Sequence, residues 1–135
     1  MKINNEIINE IKEKAKKFFI GAAGCHDWSH VERVYNLAVK IAKNEKADLN
    51  IIKIAAYLHD IGRHKEMKSR GQICHAENGV KLADKILAPY NLDKKIVENI
   101  KHCILTHRYR NNHQPKTIEA KILFDADKQI GRAHV

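Results

Sequence analysis

Apolar residues in this chain recur every three to four positions and nowhere alternate over a useful length, a pattern that commits the chain to helices packed on one another. Breakers are scarce, with 6 Gly and 2 Pro in 135 residues, so few points interrupt that pattern. Ile3, Ile7, Ile8, Ile11, Ala15 and Phe18 form a first stripe, broken by Gly21 to Gly24. Asp27 is placed to cap a second helix with the stripe Val31, Val34, Leu37, Ala38 and Ile41. A third begins near Asp48 and runs through Ile51, Ile52, Ala55, Ala56 and Leu58 to His59, with Gly62 as its stop. Arg63 to Gly71 is charged and aperiodic, a loop. A fourth helix is expected from about His75 to Leu87, ended by Pro89, and a fifth after Asp93 with Ile96, Val97, Ile100, Cys103 and Ile104 inward. After a polar loop from Tyr109 to Lys116, Thr117 to Asp127 restarts the apolar helical spacing. The fold class is all-α: one domain, a bundle of five to six helices.

Composition narrows the function classes. No apolar run approaches the roughly eighteen residues a membrane span needs, and Met1 to Phe19 mixes Lys and Glu among its apolar residues, unlike a secretory leader. A cytoplasmic protein is expected. Cys25, Cys74 and Cys103 are widely spaced, with no C-x-x-C pair, so they read as reduced thiols rather than a zinc ribbon or redox motif. A formal net charge of +9 favours anionic partners such as phosphorylated small molecules and nucleotides. Nucleic acid is a less favoured partner, because the Lys residues spread along the whole chain instead of gathering on one stretch. No Walker A, G-x-G-x-x-G or G-x-S-x-G sequence is present.

Nine histidines are the unusual feature, and their spacing carries the chemistry. His59-Asp60 closes an apolar helix, whose C-terminus carries partial negative charge and favours a cation. His30 lies one turn into the second helix, at the edge of its inward stripe, with Arg33 close by. Asp125-Ala126-Asp127-Lys128 closes the last apolar helix with further carboxylates. Two imidazoles and two carboxylates from three helices make a mixed nitrogen and oxygen site, suited to Mn, Fe, Co, Ni, Zn or Mg.

The order His30, then His59-Asp60-Ile61-Gly62, then Asp127 resembles the H…HD…D signature of HD superfamily phosphohydrolases, over a core from about His26 to Lys128. The resemblance implies an HD-type helical bundle and a first divalent metal ion held by His30, His59, Asp60 and Asp127. Asp60 is the residue expected to be catalytic, and Asp125 is the less suitable neighbour of Asp127 because it points elsewhere on the helix. Some branches, including the HD-GYP phosphodiesterases, add histidines that hold a second metal, and His75, His102 and His107 look similar to those. Surface or hydrogen-bonded core histidines are the equal alternative for these three. His107 follows His102 by five residues, about 140° around a helix, so both reach one site only if it is wide. His26, His64, His113 and His134 read as ordinary surface positions. Arg33, Arg63 and Lys128 are candidate phosphate contacts, since a guanidinium forks onto phosphate oxygens and an ammonium pairs with them.

The activity implied by this resemblance is hydrolysis of a phosphomonoester, phosphodiester or nucleotide through metal-activated water. Two other readings stand beside it: a catalytically silent HD module that binds metal or nucleotide, and a basic nucleic-acid-binding helical protein. Related proteins continue past Asp-Ala-Asp-Lys with Leu-Asp and a further helix, whereas here Gln129 is followed by Ile130-Gly131-Arg132-Ala133-His134-Val135. The codons ATC GGA AGA GCA CAC GTC encode that ending and match a common sequencing adapter. Residues 130–135 are therefore expected to be a non-native tail on a gene fragment.

Overall fold

The structure, a computed structural model, describes residues 2–20, 27–63, 75–108 and 113–133. The expected break at Gly21 to Gly24, most of the loop after Arg63, Cys25, Cys74, His26, His64 and His134 lie outside the described residues. Among those described there are six α-helices and no strand: α1 Asn5–Lys16, α2 Trp28–Lys43, α3 Leu49–Leu58, α4 His75–Leu87, α5 Lys94–Thr106 and α6 Ile118–Ala133. No helix among them is long and apolar enough to cross a membrane.

Side chains set most helix starts. Asn4 Oδ1 accepts the Ile7 amide at 2.9 Å and opens α1. Asp27 accepts the amides of Ser29 and His30 and opens α2, while Asp48 does the same for Asn50 and Ile51 at α3. Asp93 accepts the Lys95 amide at 2.8 Å and opens α5. Each satisfies amides that a helix leaves without an intrahelical partner, worth about 1 kcal/mol apiece.

The stripes then pack inward. Ile7, Ile8, Ile11 and Ala15 of α1, Val31, Val34 and Ala38 of α2, nearly all of α3, Ile100, Cys103 and Ile104 of α5, and Ala120, Leu123 and Ala126 of α6 form one core. α3 is the central helix, apolar on every side but the one that carries Asn50 and Lys53, because α1, α2, α5 and α6 all pack against it. α4 lies against α5, and Gly79 makes the approach close: a Cβ there would stand 3.2 Å from Ile104 Cγ2 and 3.8 Å from the Gly62 amide nitrogen.

Three details differ from the periodicity. α1 tightens into a 3₁₀ turn at Lys17–Phe19, which advances the register so that Phe19 faces inward and Phe18 outward. α3 ends at Leu58, with His59 as its C-cap, because the imidazole itself takes a terminal carbonyl ahead of Gly62. α6 continues past Asp127 to Ala133, and Ile130 packs against the core.

Candidate metal centre

Two helices end on histidines of the same design. His59 caps α3 and its Nδ1 donates to the Ala56 carbonyl at 2.6 Å; His107 caps α5 and its Nδ1 donates to the Ile104 carbonyl at 2.5 Å. Each bond fixes the ring and places the proton of the neutral tautomer on Nδ1, which leaves Nε2 as the ring's acceptor atom. The rings meet edge to face, with centroids 5.1 Å apart. Both helix C-termini thus bring their partial negative charge to one place.

His30 arrives from a third helix. The Asp27 cap binds the His30 amide, so the residue that starts α2 also sets the position of this ring, 5.8 Å from that of His59. Asp127, from α6, completes the group: its Oδ1 lies 3.0 Å from His30 Nε2 and 3.6 Å from His59 Nε2. One ligand atom from each of His30, His59 and Asp127 falls within 4.8 Å of the other two. His59 Nε2 is fully buried and finds no hydrogen-bond partner. A buried nitrogen left unbonded in a group of two imidazoles and a carboxylate is what a transition-metal dication would satisfy, so these residues fit such an ion.

Electrostatics agree. Burial pushes the Asp127 carboxyl up, but the hydrogen bond from His30 and the charge of the nearby His59 hold it well below the usual carboxylate range. Burial pushes His59 down, and the negative charges of Asp127, 3.6 Å away, and of Asp60 more than reverse that, so His59 is raised. His107 is pushed down to about 4 by burial and by His59, which keeps it uncharged at neutral pH and unopposed to a nearby cation.

The structure divides the remaining sequence-based candidates. Asp60 is 1% exposed, and the Arg63 Nε donates to both of its oxygens, at 3.0 and 3.1 Å; it is not one of the three clustered ligands, though its charge acts on His59 and His107. Asp125 is exposed, two residues from the buried cluster. His102 is committed elsewhere, its Nε2 accepting the Lys116 amide at 3.0 Å, and the His75 side chain lies outside the described residues. Arg33 Nε donates to the Ser29 carbonyl. Lys128, with its Nζ 5.8 Å from the centre of the Phe124 ring, lines an open cavity of about 320 Å³ together with His107, Arg108, Phe124 and Asp127. Arg108 is the residue that sequence reasoning passed over. Its only signal is its place directly after His107, at a helix end.

A helical bundle that converges two imidazoles and a carboxylate on one point belongs to a recognisable class, that of helical proteins with a candidate metal site inside the bundle. Residues 27–129 match the sequence model of the HD domain, and the chain belongs to that family. It is similar to a predicted HD superfamily hydrolase from an uncultured Thermotogales bacterium, at 36% identity and a TM-score of 0.75, covering 95% of this chain and 72% of that one. The structure of Bacillus subtilis YpgQ in complex with ADP superposes with a TM-score of 0.68 at 27% identity, over 95% of this chain and 62% of that one. In sequence, YpgQ is 31% identical over 117 residues, 76% of this chain. A tRNA (cytidine(56)-2'-O)-methyltransferase of Thermoplasma volcanium is 36% identical over 109 residues, 73% of this chain. The chain spans 49% of the length of YpgQ and 30% of that methyltransferase.

Proposed function

We propose that this chain is a single HD domain that hydrolyses a phosphomonoester, phosphodiester or nucleotide with a divalent metal ion held by His30, His59, Asp60 and Asp127. The observation that carries the reading is the unbonded His59 Nε2, buried between the His30 ring and the Asp127 carboxylate. Asp60 is the fourth member because it follows His59 directly, is buried, and adds negative charge beside the two capping histidines. A bound dication supplies an activated water and neutralises phosphoryl oxygens as charge builds.

The chain's own groups do the rest. Asp127 and the carbonyl-anchored His59 set the direction from which an ion is gripped, and the helix ends of α3 and α5 favour its charge. Arg108 and Lys128, at the mouth of the cavity, meet the phosphate oxygens of a substrate lying against Asp127. His107 lines the same cavity as a neutral imidazole, so it leaves the anion-binding work to those two cations. Of His102 and His107, the two additional histidines whose side chains are described, His107 faces the centre and is the one retained for a second ion. ADP bound to the similar protein YpgQ supports a nucleotide as the phosphate carrier. The reading is of a cytoplasmic enzyme.

The test is metal analysis of the purified protein followed by a screen of phosphatase, phosphodiesterase and nucleotide substrates. Chelator-sensitive release of phosphate or nucleotide, lost in Asp60→Ala and in Arg108→Ala with Lys128→Ala at low substrate, is expected. Release that survives chelation and the Asp60→Ala change overturns the reading.

A further inference from the structure

About 12 Å from the metal centre, two turns back along α6, lies a buried carboxylate that the mechanism does not use. Glu119 is 7% exposed. Its Oε2 accepts the Asp48 amide at 2.8 Å, the residue that caps the start of α3, and its Oε1 accepts from Asn99 Nδ2 of α5 at 3.0 Å. Asn99 Oδ1 in turn accepts from Thr117 Oγ1 at 2.8 Å, and Thr117 Oγ1 accepts the Ala120 amide at 3.1 Å, as an N-cap of α6 does. Asp48 can serve both partners because its side chain caps α3 while its own amide is left for Glu119.

The three helices tied here are three of the four that meet at the centre; the fourth, α2, brings His30. From the tie to the centre, the chain passes along α3 from its cap Asp48 to His59, along α5 from Asn99 to His107, and along α6 from Glu119 to Asp127, so all three point the same way. The last two spans are equal in residue number, and each covers about 12 Å of helix. We infer that Glu119 is a positioning residue: its carboxylate, bonded to the start of α3 and to the side of α5, fixes the register in which those helices and α6 deliver His59, His107 and Asp127. Rigid helices transmit the placement, because a sliding of α6 by even a fraction of a turn at Glu119 moves Asp127 equally relative to His59. Two bonds to one buried carboxylate resist that sliding in a way apolar side chains do not, since apolar packing is not directional.

The inference rests on the metal reading above, and the experiment separates the two. The full chain, freed of metal, is titrated with Co²⁺ alone, with its visible absorption reporting geometry and circular dichroism confirming that each variant is folded. Glu119→Ala is expected to weaken Co²⁺ binding about tenfold or more and to change the absorption spectrum. Glu119→Gln, whose amide oxygen keeps one of the two acceptors, is expected to lose less. Ile8→Val, a core change in α1, which carries no ligand, is expected to lower thermal stability while leaving Co²⁺ binding as in the wild type. Glu119→Ala that is folded and binds Co²⁺ with wild-type affinity and spectrum overturns the inference, as does Ile8→Val losing as much affinity as Glu119→Ala. If Glu119→Ala does not fold, Glu119→Gln decides alone: weakened binding supports the inference and wild-type binding overturns it. A wild-type chain that takes up no Co²⁺ defeats the metal reading itself, and this inference with it.

Discussion

Gly79→Ala sets two known effects against each other at one atom. Alanine is the better helix former, by about 1 kcal/mol in a helix interior. The added methyl, however, would sit 3.2 Å from Ile104 Cγ2, inside the roughly 3.5–4.0 Å at which carbon atoms rest comfortably. Ile104 is 0% exposed and branched at Cβ, so its methyl cannot swing away without disturbing α5 or the core around it. Overpacking of this kind costs about 1–3 kcal/mol, which exceeds the propensity gain. The second neighbour, the Gly62 amide nitrogen at 3.8 Å, is at ordinary contact distance, so the strain falls on the α4–α5 interface and not on the turn after Asp60. The net expectation is a loss of about 1 kcal/mol, read as a fall of about 3–5 °C in Tm for a domain of this size. In an Ile104→Ala background the offending methyl is gone, and Gly79→Ala is expected there to be neutral or stabilising, a coupling of about 1 kcal/mol or more in a double-mutant cycle. Thermal and urea melts of the four proteins measure it. A single Gly79→Ala variant that melts above the wild type would refute the reasoning, because it would show that the helices are not in close contact at this point.

The same geometry carries further expectations. Asp127→Ala, which removes the carboxylate shared by His30 and His59, is expected to abolish metal retention through gel filtration, whereas Asp125→Ala, on the exposed side, is expected to retain metal as the wild type does. Because Asp127 raises His59 above its ordinary value, the protonated ring is favoured in the metal-free fold. Its contribution to metal-free stability is present in full below the unfolded value near 6.5 and is lost as pH rises through the raised one. Metal must displace that proton, so apparent metal affinity is expected to fall by about tenfold per pH unit on acidification below the raised value, and to level off above it, by calorimetric titration in several buffers. The Cys103 thiol is fully buried and pushed up to about 12 by burial, so it is expected to resist iodoacetamide at pH 8 until the protein is unfolded, as peptide mass analysis would show.

The sequence made the helices readable because their signals are local. Asp27, Asp48 and Asp93 stand where caps are needed, and the apolar stripes of α1, α2 and α5 return at helical spacing. What was not legible depends on where helices lie relative to one another. The angle between His102 and His107 showed that they face apart, but only packing reveals that His107 meets His59 while His102 turns to the Lys116 amide. Arg108 becomes interesting only because α6 lays Asp127 and Lys128 beside it. Asp60 and Arg63 were separate candidates, and the turn after His59 folds the one onto the other. Glu119 carried no signal at all, since a Glu early in a helix is common and its partners Asp48 and Asn99 are distant in sequence. The 3₁₀ turn that exchanges Phe18 for Phe19 escaped for a different reason: a change of helical pitch leaves no mark in apolar spacing when both residues are phenylalanine.

The central claim is that His30, His59 and Asp127 close on a single dication. Crystals grown with Mn²⁺ or Co²⁺, with data collected on either side of that metal's absorption edge, test it most directly. An anomalous peak within bonding distance of both imidazole Nε2 atoms and the Asp127 carboxylate is the expected result. A fully loaded crystal with its peak elsewhere, or with none at that point, would contradict the account.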